Sequence, residues 1–228
     1  TAGTTIAEIH GGNRTAQGNK LVVNTAATVG KVLSFEKFIF NHTASAGTTP
    51  MLTITNGATD LDFNAIEATD AATENPVTLV HNSAGLNLTN YDAAKVKSTL
   101  NEAGTQETNI DVRKTGALNT DVIRYAYTFA GATAATSVGS DTWGGRSVAG
   151  NTTTGNTITV ENGAHTNVYG GWTTGAGSTA AADKLGDSTG NKVTVNGSAT
   201  VSGTVYGGYT DALGGKATGN EVTIDKVS

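Results

Sequence analysis

The sequence predicts an all-β chain and, within that class, a parallel β-solenoid with variable corner loops. Three observations predict it. The phrase Val168-Tyr169-Gly170-Gly171-Trp172 returns as Val205-Tyr206-Gly207-Gly208-Tyr209. A Gly-Asn-x-β-x-β run occurs as Gly155-Asn156-Thr157-Ile158-Thr159-Val160, as Gly190-Asn191-Lys192-Val193-Thr194-Val195 and as Gly219-Asn220-Glu221-Val222-Thr223-Ile224. These runs start roughly 30–35 residues apart, a spacing that marks repeat architectures. The composition agrees: 30 glycines, 2 prolines and abundant threonine suit short strands parted by glycine turns.

In chain order, residues 1–23 read as a worn copy of the repeat. Ile9-His10-Gly11-Gly12 stands for the Val-Tyr-Gly-Gly phrase and Gly18-Asn19-Lys20-Leu21-Val22-Val23 for the Gly-Asn run. Residues 24–140 form an irregular block between repeats. Phe35 to Phe40 is apolar at nearly every position, and Met51 to Thr55, Val77 to Val80, Leu86 to Thr89 and Asn109 to Val112 alternate as strands do. Val122 to Phe129 is the longest strand candidate, with Tyr125, Tyr127 and Phe129 on one face and Arg124 and Thr128 on the other. Asp92 to Leu100 has helix-compatible spacing and is the one short helix expected. Residues 141–228 resume the repeat, with Thr142-Trp143-Gly144-Gly145 as a degenerate phrase. The whole is expected to be one solenoid fragment.

In each Gly-Asn run the two apolar residues, such as Ile158 and Val160, point one way and the threonines the other. Stacked run on run, like residues meet. Asn19, Asn156, Asn191 and Asn220 then fall at one corner, where each amide can bond the next in a ladder. The pairs Gly11/Gly12, Gly144/Gly145, Gly170/Gly171 and Gly207/Gly208 are expected at another corner, supplying positive φ. A β-sandwich would instead need hairpin signals. Asn162-Gly163 and Asn196-Gly197 supply one, although their shared offset also suits solenoid corners.

Charge and cysteine content narrow the function classes. A net charge of −5 leaves no basic footprint for nucleic acid or anionic lipid. The chain has no cysteine, and a repeat scaffold needs no disulfides because each repeat buries its apolar face on the next. No apolar stretch approaches the roughly 18–20 residues that span a membrane. The chain starts at Thr1 and stops soon after the third Gly-Asn run, which reads as an excised piece of something longer.

These motifs resemble the repeats of bacterial autotransporter-type adhesin passengers. Ala217-Thr218-Gly219-Asn220-Glu221-Val222-Thr223-Ile224 matches that pattern closely; Ser188 to Val195 and Ala16 to Val23 match loosely. Phe35 to Phe40 followed by Met51 to Thr55 resembles the blocks between such repeats. The resemblance implies an extracellular, right-handed β-helix carried to the bacterial surface by an outer-membrane barrel, its membrane link lying in other parts of the full-length chain. It implies no catalytic residues and no cofactor.

Candidate chemistry is sparse. Gly186-Asp187-Ser188-Thr189-Gly190 matches a nucleophile elbow but lacks the strand before and helix after that the elbow needs. His10, His42, His81 and His165 lie in no metal-ligand spacing. The carboxylate pairs Asp60/Asp62 and Glu67/Asp70 would suffice for a polysaccharide-cleaving enzyme, yet such pairs also stand in ordinary turns. Trp143, Tyr169, Trp172, Tyr206 and Tyr209 gather beside the glycine pairs. They either stack on one another along the repeats or offer ring faces to a host glycan. The expectation is a non-catalytic surface scaffold that presents the loops between Gly171 and Gly190 and between Gly208 and Gly219, plus the middle block, to a host glycan or protein. The alternative is a self-assembling fibre subunit, its copies joined end to end.

Overall fold

The computed structural model describes residues 5–12, 17–41, 49–57, 59–69, 76–92, 97–114, 120–174, 186–212 and 214–225. Among them the chain is all-β, with no α-helix and one 3-10 turn, Phe63–Ala65, capped by the Asp62 carboxylate. Two compact units divide it: 1–93 with 110–125, and 94–109 with 126–228.

In the first unit, strands Thr5–His10, Ala27–Leu33, Leu52–Ile54 and Val77–Asn82 lie side by side and parallel, and Thr120–Thr128 joins Val77–Asn82 antiparallel. A second sheet runs Lys20–Val23, Lys37–Asn41, Ile66–Thr69, all parallel. Alternation explains the core. Phe38 and Phe40 of Lys37–Asn41 are buried while Lys37, Ile39 and Asn41 look outward. Leu52, Ile54, Ile66, Leu79 and Val80 complete the apolar interior.

The second unit is built from registered copies. Asp141–Ser147, Val168–Thr173 and Val205–Thr210 form one parallel set, with Thr136–Val138 antiparallel at its edge. Thr153–Thr154, Ser188–Thr189 and Ala217–Thr218 form another, and Thr157–Val160, Lys192–Val195 and Glu221–Ile224 a third. Each set takes one strand from each successive copy. Ile158, Val193 and Val222 share one register row, and Val160, Val195 and Ile224 the next. The strands flanking Asn162-Gly163 pair forward with the next copy, so that dipeptide turns a corner between parallel strands and closes no hairpin.

Two expectations change. Lys97–Leu100 is a strand, while 93–96 lie outside the described residues. The segment is half exposed and short, and an isolated helix below about 12–15 residues lacks the length to hold itself together. In Thr120–Thr128 the alternation puts Tyr125 and Tyr127 on one face, as expected, half buried, and the opposite face, with Val122, Arg124 and Ala126, is the buried one. The glycine pairs are not positive-φ corners. Gly144/Gly145, Gly170/Gly171 and Gly207/Gly208 lie inside extended strands, and Gly11 follows Thr5–His10 with no positive φ. Left-handed backbone falls instead on the glycine before each ladder asparagine: Gly18, Gly155, Gly190 and Gly219, with φ of 78°, 62°, 62° and 65°.

Candidate functional site

The glycine pairs and the asparagines are two halves of one device. A Cβ on Gly145 would land on the Asn156 amide, one on Gly171 on the Asn191 amide, and one on Gly208 on the Asn220 amide. The missing side chains are the space in which the asparagines sit. Asn156 and Asn191 are fully buried. Asn156 Nδ2 donates to Asn191 Oδ1 at 2.7 Å, and Asn191 Nδ2 to Asn220 Oδ1 at 3.0 Å. The same oxygens also accept the backbone N–H of the preceding asparagine, at 3.2 and 2.9 Å. Beside this row, Ser188 Oγ donates to Gly171 O and accepts from Thr153 Oγ1 and Asn191 Nδ2. The serine of the elbow-like pattern is thus a fully buried structural hydroxyl. Asn19 belongs to the first unit; its carbonyl accepts from Glu36 and Lys37, and its Nδ2 is buried with no hydrogen-bond partner among the described residues.

The same glycines organise the aromatics. At each pair both absent Cβ atoms point toward the asparagine side. The strand's alternation is therefore broken there, and residues three apart, normally on opposite faces, come to one face. Tyr169 and Trp172 stack at 4.5 Å and 17°. Across the copies Tyr169 stacks on Tyr206 at 5.1 Å and 6° and Trp143 meets Trp172 edge-on at 5.8 Å, while within the last copy Tyr206 meets Tyr209 edge-on at 5.0 Å. Arg146 holds the place of Trp172 and Tyr209 in the first row. Its guanidinium lies 4.1 Å from the Trp172 ring centre, 4.7 Å from Trp143 and 4.8 Å from Tyr127. The ring faces of Tyr169 and Trp172 are thus occupied by their neighbours, and Trp143 is 1 % exposed. Burial and the nearby Asp141 carboxylate push the Tyr169 phenol above its ordinary value, against the pull of Arg146. His10, expected as the counterpart of these tyrosines, is in the first unit, exposed and bonded to Glu8 at 3.3 Å.

Two polar clusters had no signal in the sequence. Glu107 is fully buried and accepts from Ser147 Oγ, the Val148 N–H, Asn151 Nδ2 and Asn109 Nδ2 at 2.6–3.0 Å. In the first unit His81 Nδ1 meets Asp121 Oδ1 at 2.6 Å, and Arg113 Nη2 donates to Asp121 Oδ2 at 2.8 Å. Burial works to raise the Asp121 carboxyl, but the bonds from His81 and Arg113 and the Arg113 charge outweigh it and hold the group below its ordinary value. Only the antiparallel register of Asp121 on His81 brings these residues together.

The other candidates are tied into structure. His165 Nε2 faces the Asn162 carbonyl at 2.9 Å and so carries the proton, leaving Nδ1 to accept from the Thr142 hydroxyl in the neutral ring. Asp60 accepts from Asn87, Asp62 from Asn64 and Asn90, and Glu67 pairs with Lys37 at 2.8 Å. His42 and Asp70 lie outside the described residues. Among the described residues no group of three or more His, Asp or Glu side chains is placed to hold a metal.

Comparison with known families, with curated proteins and with solved structures found no match to the chain.

Proposed function

We propose that the repeats coil into a parallel β-solenoid, a right-handed β-helix, and that the protein is a non-catalytic extracellular scaffold of the adhesin-passenger kind. The observation that carries this reading is the asparagine row. One residue per copy, registered through parallel strands and bonded at 2.7 and 3.0 Å, is what a coil of stacked rungs requires. The hand follows from the rule that parallel crossovers within a sheet are right-handed. The non-catalytic reading is supported by where the candidate chemistry went. The serine, the histidines at 81 and 165 and the carboxylates at 60, 62 and 67 are each held in a bond that serves the fold. Contact with a host glycan or protein surface is assigned to the stretches after Gly171 and Gly208, of which residues 175–185 and 213 lie outside the described residues, since the ring faces of the inner aromatics are taken.

A binding screen of the chain against immobilised host glycans and matrix proteins tests this. A loop-swapped variant, with the segment between Thr174 and Gly186 replaced by a Gly/Ser stretch, should lose at least tenfold in affinity at unchanged Tm, a difference of about 1.4 kcal/mol. Binding that survives the swap but vanishes in Trp172→Ala at unchanged Tm would move the contact to the aromatics. Absence of binding to every surface offered would remove the adhesin reading.

A further inference from the structure

Arg146 carries a charge that no carboxylate answers. Lys31, Lys37, Lys192 and Arg113 each meet an acidic partner at 2.8–3.3 Å. Arg146 has no such partner among the described residues, and its guanidinium is held by rings instead: Trp172, Trp143 and Tyr127 lie 4.1, 4.7 and 4.8 Å from its centre. All four residues belong to the second unit. The strand that bears Arg146, Asp141–Ser147, has a neighbour on each side, Thr136–Val138 and Val168–Thr173, so this is an interior row of its sheet.

Rings attract a cation but offer its N–H groups no lone pair. The Arg146 Nε–H is buried without an acceptor among the described residues, and so is the Nε1–H of Trp143 beside it. A full positive charge and two N–H donors thus meet in a cluster that gives neither donor an acceptor. Buried donors left unsatisfied are rare in folded proteins, and each calls for an explanation. The Asp141 carboxylate, which acts on the Tyr169 phenol, is held elsewhere: it accepts from Asn167 at 3.0 and 3.2 Å. Arg146 as a whole is half-buried, and Nε is its one nitrogen both buried and without a partner, so its two Nη groups are where the side chain meets solvent.

We propose that Arg146 is a binding site for the carboxylate of an acidic sugar, a uronic acid, on a host glycan. The choice of a glycan rests on the scaffold reading above; the anion chemistry does not. The outer edge of a guanidinium presents parallel N–H groups that match the two oxygens of a carboxylate. The surrounding rings hold that fork in place before the ligand arrives, so little side-chain freedom is lost on binding. They also exclude water, which strengthens a single ion pair. No free ring face is needed, because the sugar is held by its carboxylate. One cation suits one negative charge. A polyanion such as nucleic acid needs a row of cations, and the net charge of −5 opposes it.

The two tryptophans of the chain are Trp143 and Trp172, and both touch Arg146, so intrinsic fluorescence reports on this site alone. The parent protein is titrated with three probes: glucuronate; glucose, which has the same ring and no carboxylate; and N-acetylglutamate α-amide, a carboxylate without a sugar. The expected result is a saturable change with glucuronate that the other two do not match. It should weaken severalfold between about 0.01 and about 0.15 M salt, as screening shortens from about 30 to about 8 Å. Arg146→Lys keeps the charge and loses the fork, and should bind glucuronate about tenfold more weakly. Should that variant fail to fold by circular dichroism, the parent's ranking of the three probes decides.

No saturable change with glucuronate, an equal response to glucose, or an unchanged affinity in folded Arg146→Lys would each overturn the proposal. An equal response to the glutamate amide would also overturn it, by moving the occupant to an acidic protein surface. A silent titration beside glycans captured in the binding screen would fault this site and leave the adhesin reading standing. A silent titration beside an empty screen would remove both.

Discussion

A buried asparagine is a costly choice unless every polar atom is met. Asn191 meets that condition: the two N–H groups of its amide are shared among Asn220 Oδ1, Thr153 O and Ser188 Oγ, and its oxygen accepts two N–H groups from Asn156. Replacing it with alanine strands the Asn156 donors in a dry site. Asn191→Ala should therefore cost about 3 kcal/mol in urea unfolding, and Asn220→Ala, at a half-buried edge, about 1 kcal/mol. Equal losses would show that the row is not what holds the copies together. Asp121 makes a second residue-scale prediction. Its folded pKa is lowered, so its contribution is complete above the ordinary carboxylate value near 3.8 and disappears as pH falls through the folded value. Asp121→Asn should lower stability at pH 7 and flatten the acid limb of a stability–pH curve. An unchanged acid limb would mean other carboxylates set it.

Among the elements, the Val-Tyr-Gly-Gly strands show how far the sequence could be read. Alternation made Ile158/Val160 and Val193/Val195 legible as inward pairs, and both pairs are buried. The glycine pairs misled because glycine serves two ends, left-handed backbone and close approach, and a sequence does not say which. Here the single glycine before each asparagine has the first role and the pair has the second. The Asp121–His81 contact was illegible for another reason: it depends on an antiparallel strand finding Val77–Asn82 across 40 residues of chain. Arg124 shows the limit of polarity as a guide, since alternation was present but the buried face was the one with the charge.

The aromatic arrangement gives this scale its own test. Trp172 stacks on Tyr169 and carries the Arg146 guanidinium. Trp172→Ala should cost about 3 kcal/mol, a melting loss of several degrees. A Tm within a degree of the parent would argue that the rings serve a ligand more than the fold.

For the molecule as a whole, the spacing of the ladder is informative. Asn156 and Asn191 are 35 residues apart in the chain, Asn191 and Asn220 only 29, yet the two amide bonds differ by 0.3 Å, at 2.7 and 3.0 Å. The extra residues lie between Thr173 and Ser188, a stretch of which 175–185 fall outside the described residues. Shortening the stretch between Thr174 and Gly186 until its copy matches the 29-residue one should change stability by less than about 1 kcal/mol, because closure entropy grows only slowly with loop length. A larger loss by calorimetry would assign that stretch a role in packing.

The asparagine row has a consequence for how such a chain changes over generations. Along the row the middle amide, Asn191, bonds one asparagine of the copy before and one of the copy after. Inserting or deleting a whole copy by unequal recombination leaves every surviving amide with neighbours it cannot tell from the old ones. Copy number can thus drift almost without penalty, and the loops between copies can diverge freely. A change of asparagine, by contrast, is felt at once by two copies. Heredity in this architecture is strict at one residue per copy and permissive nearly everywhere else.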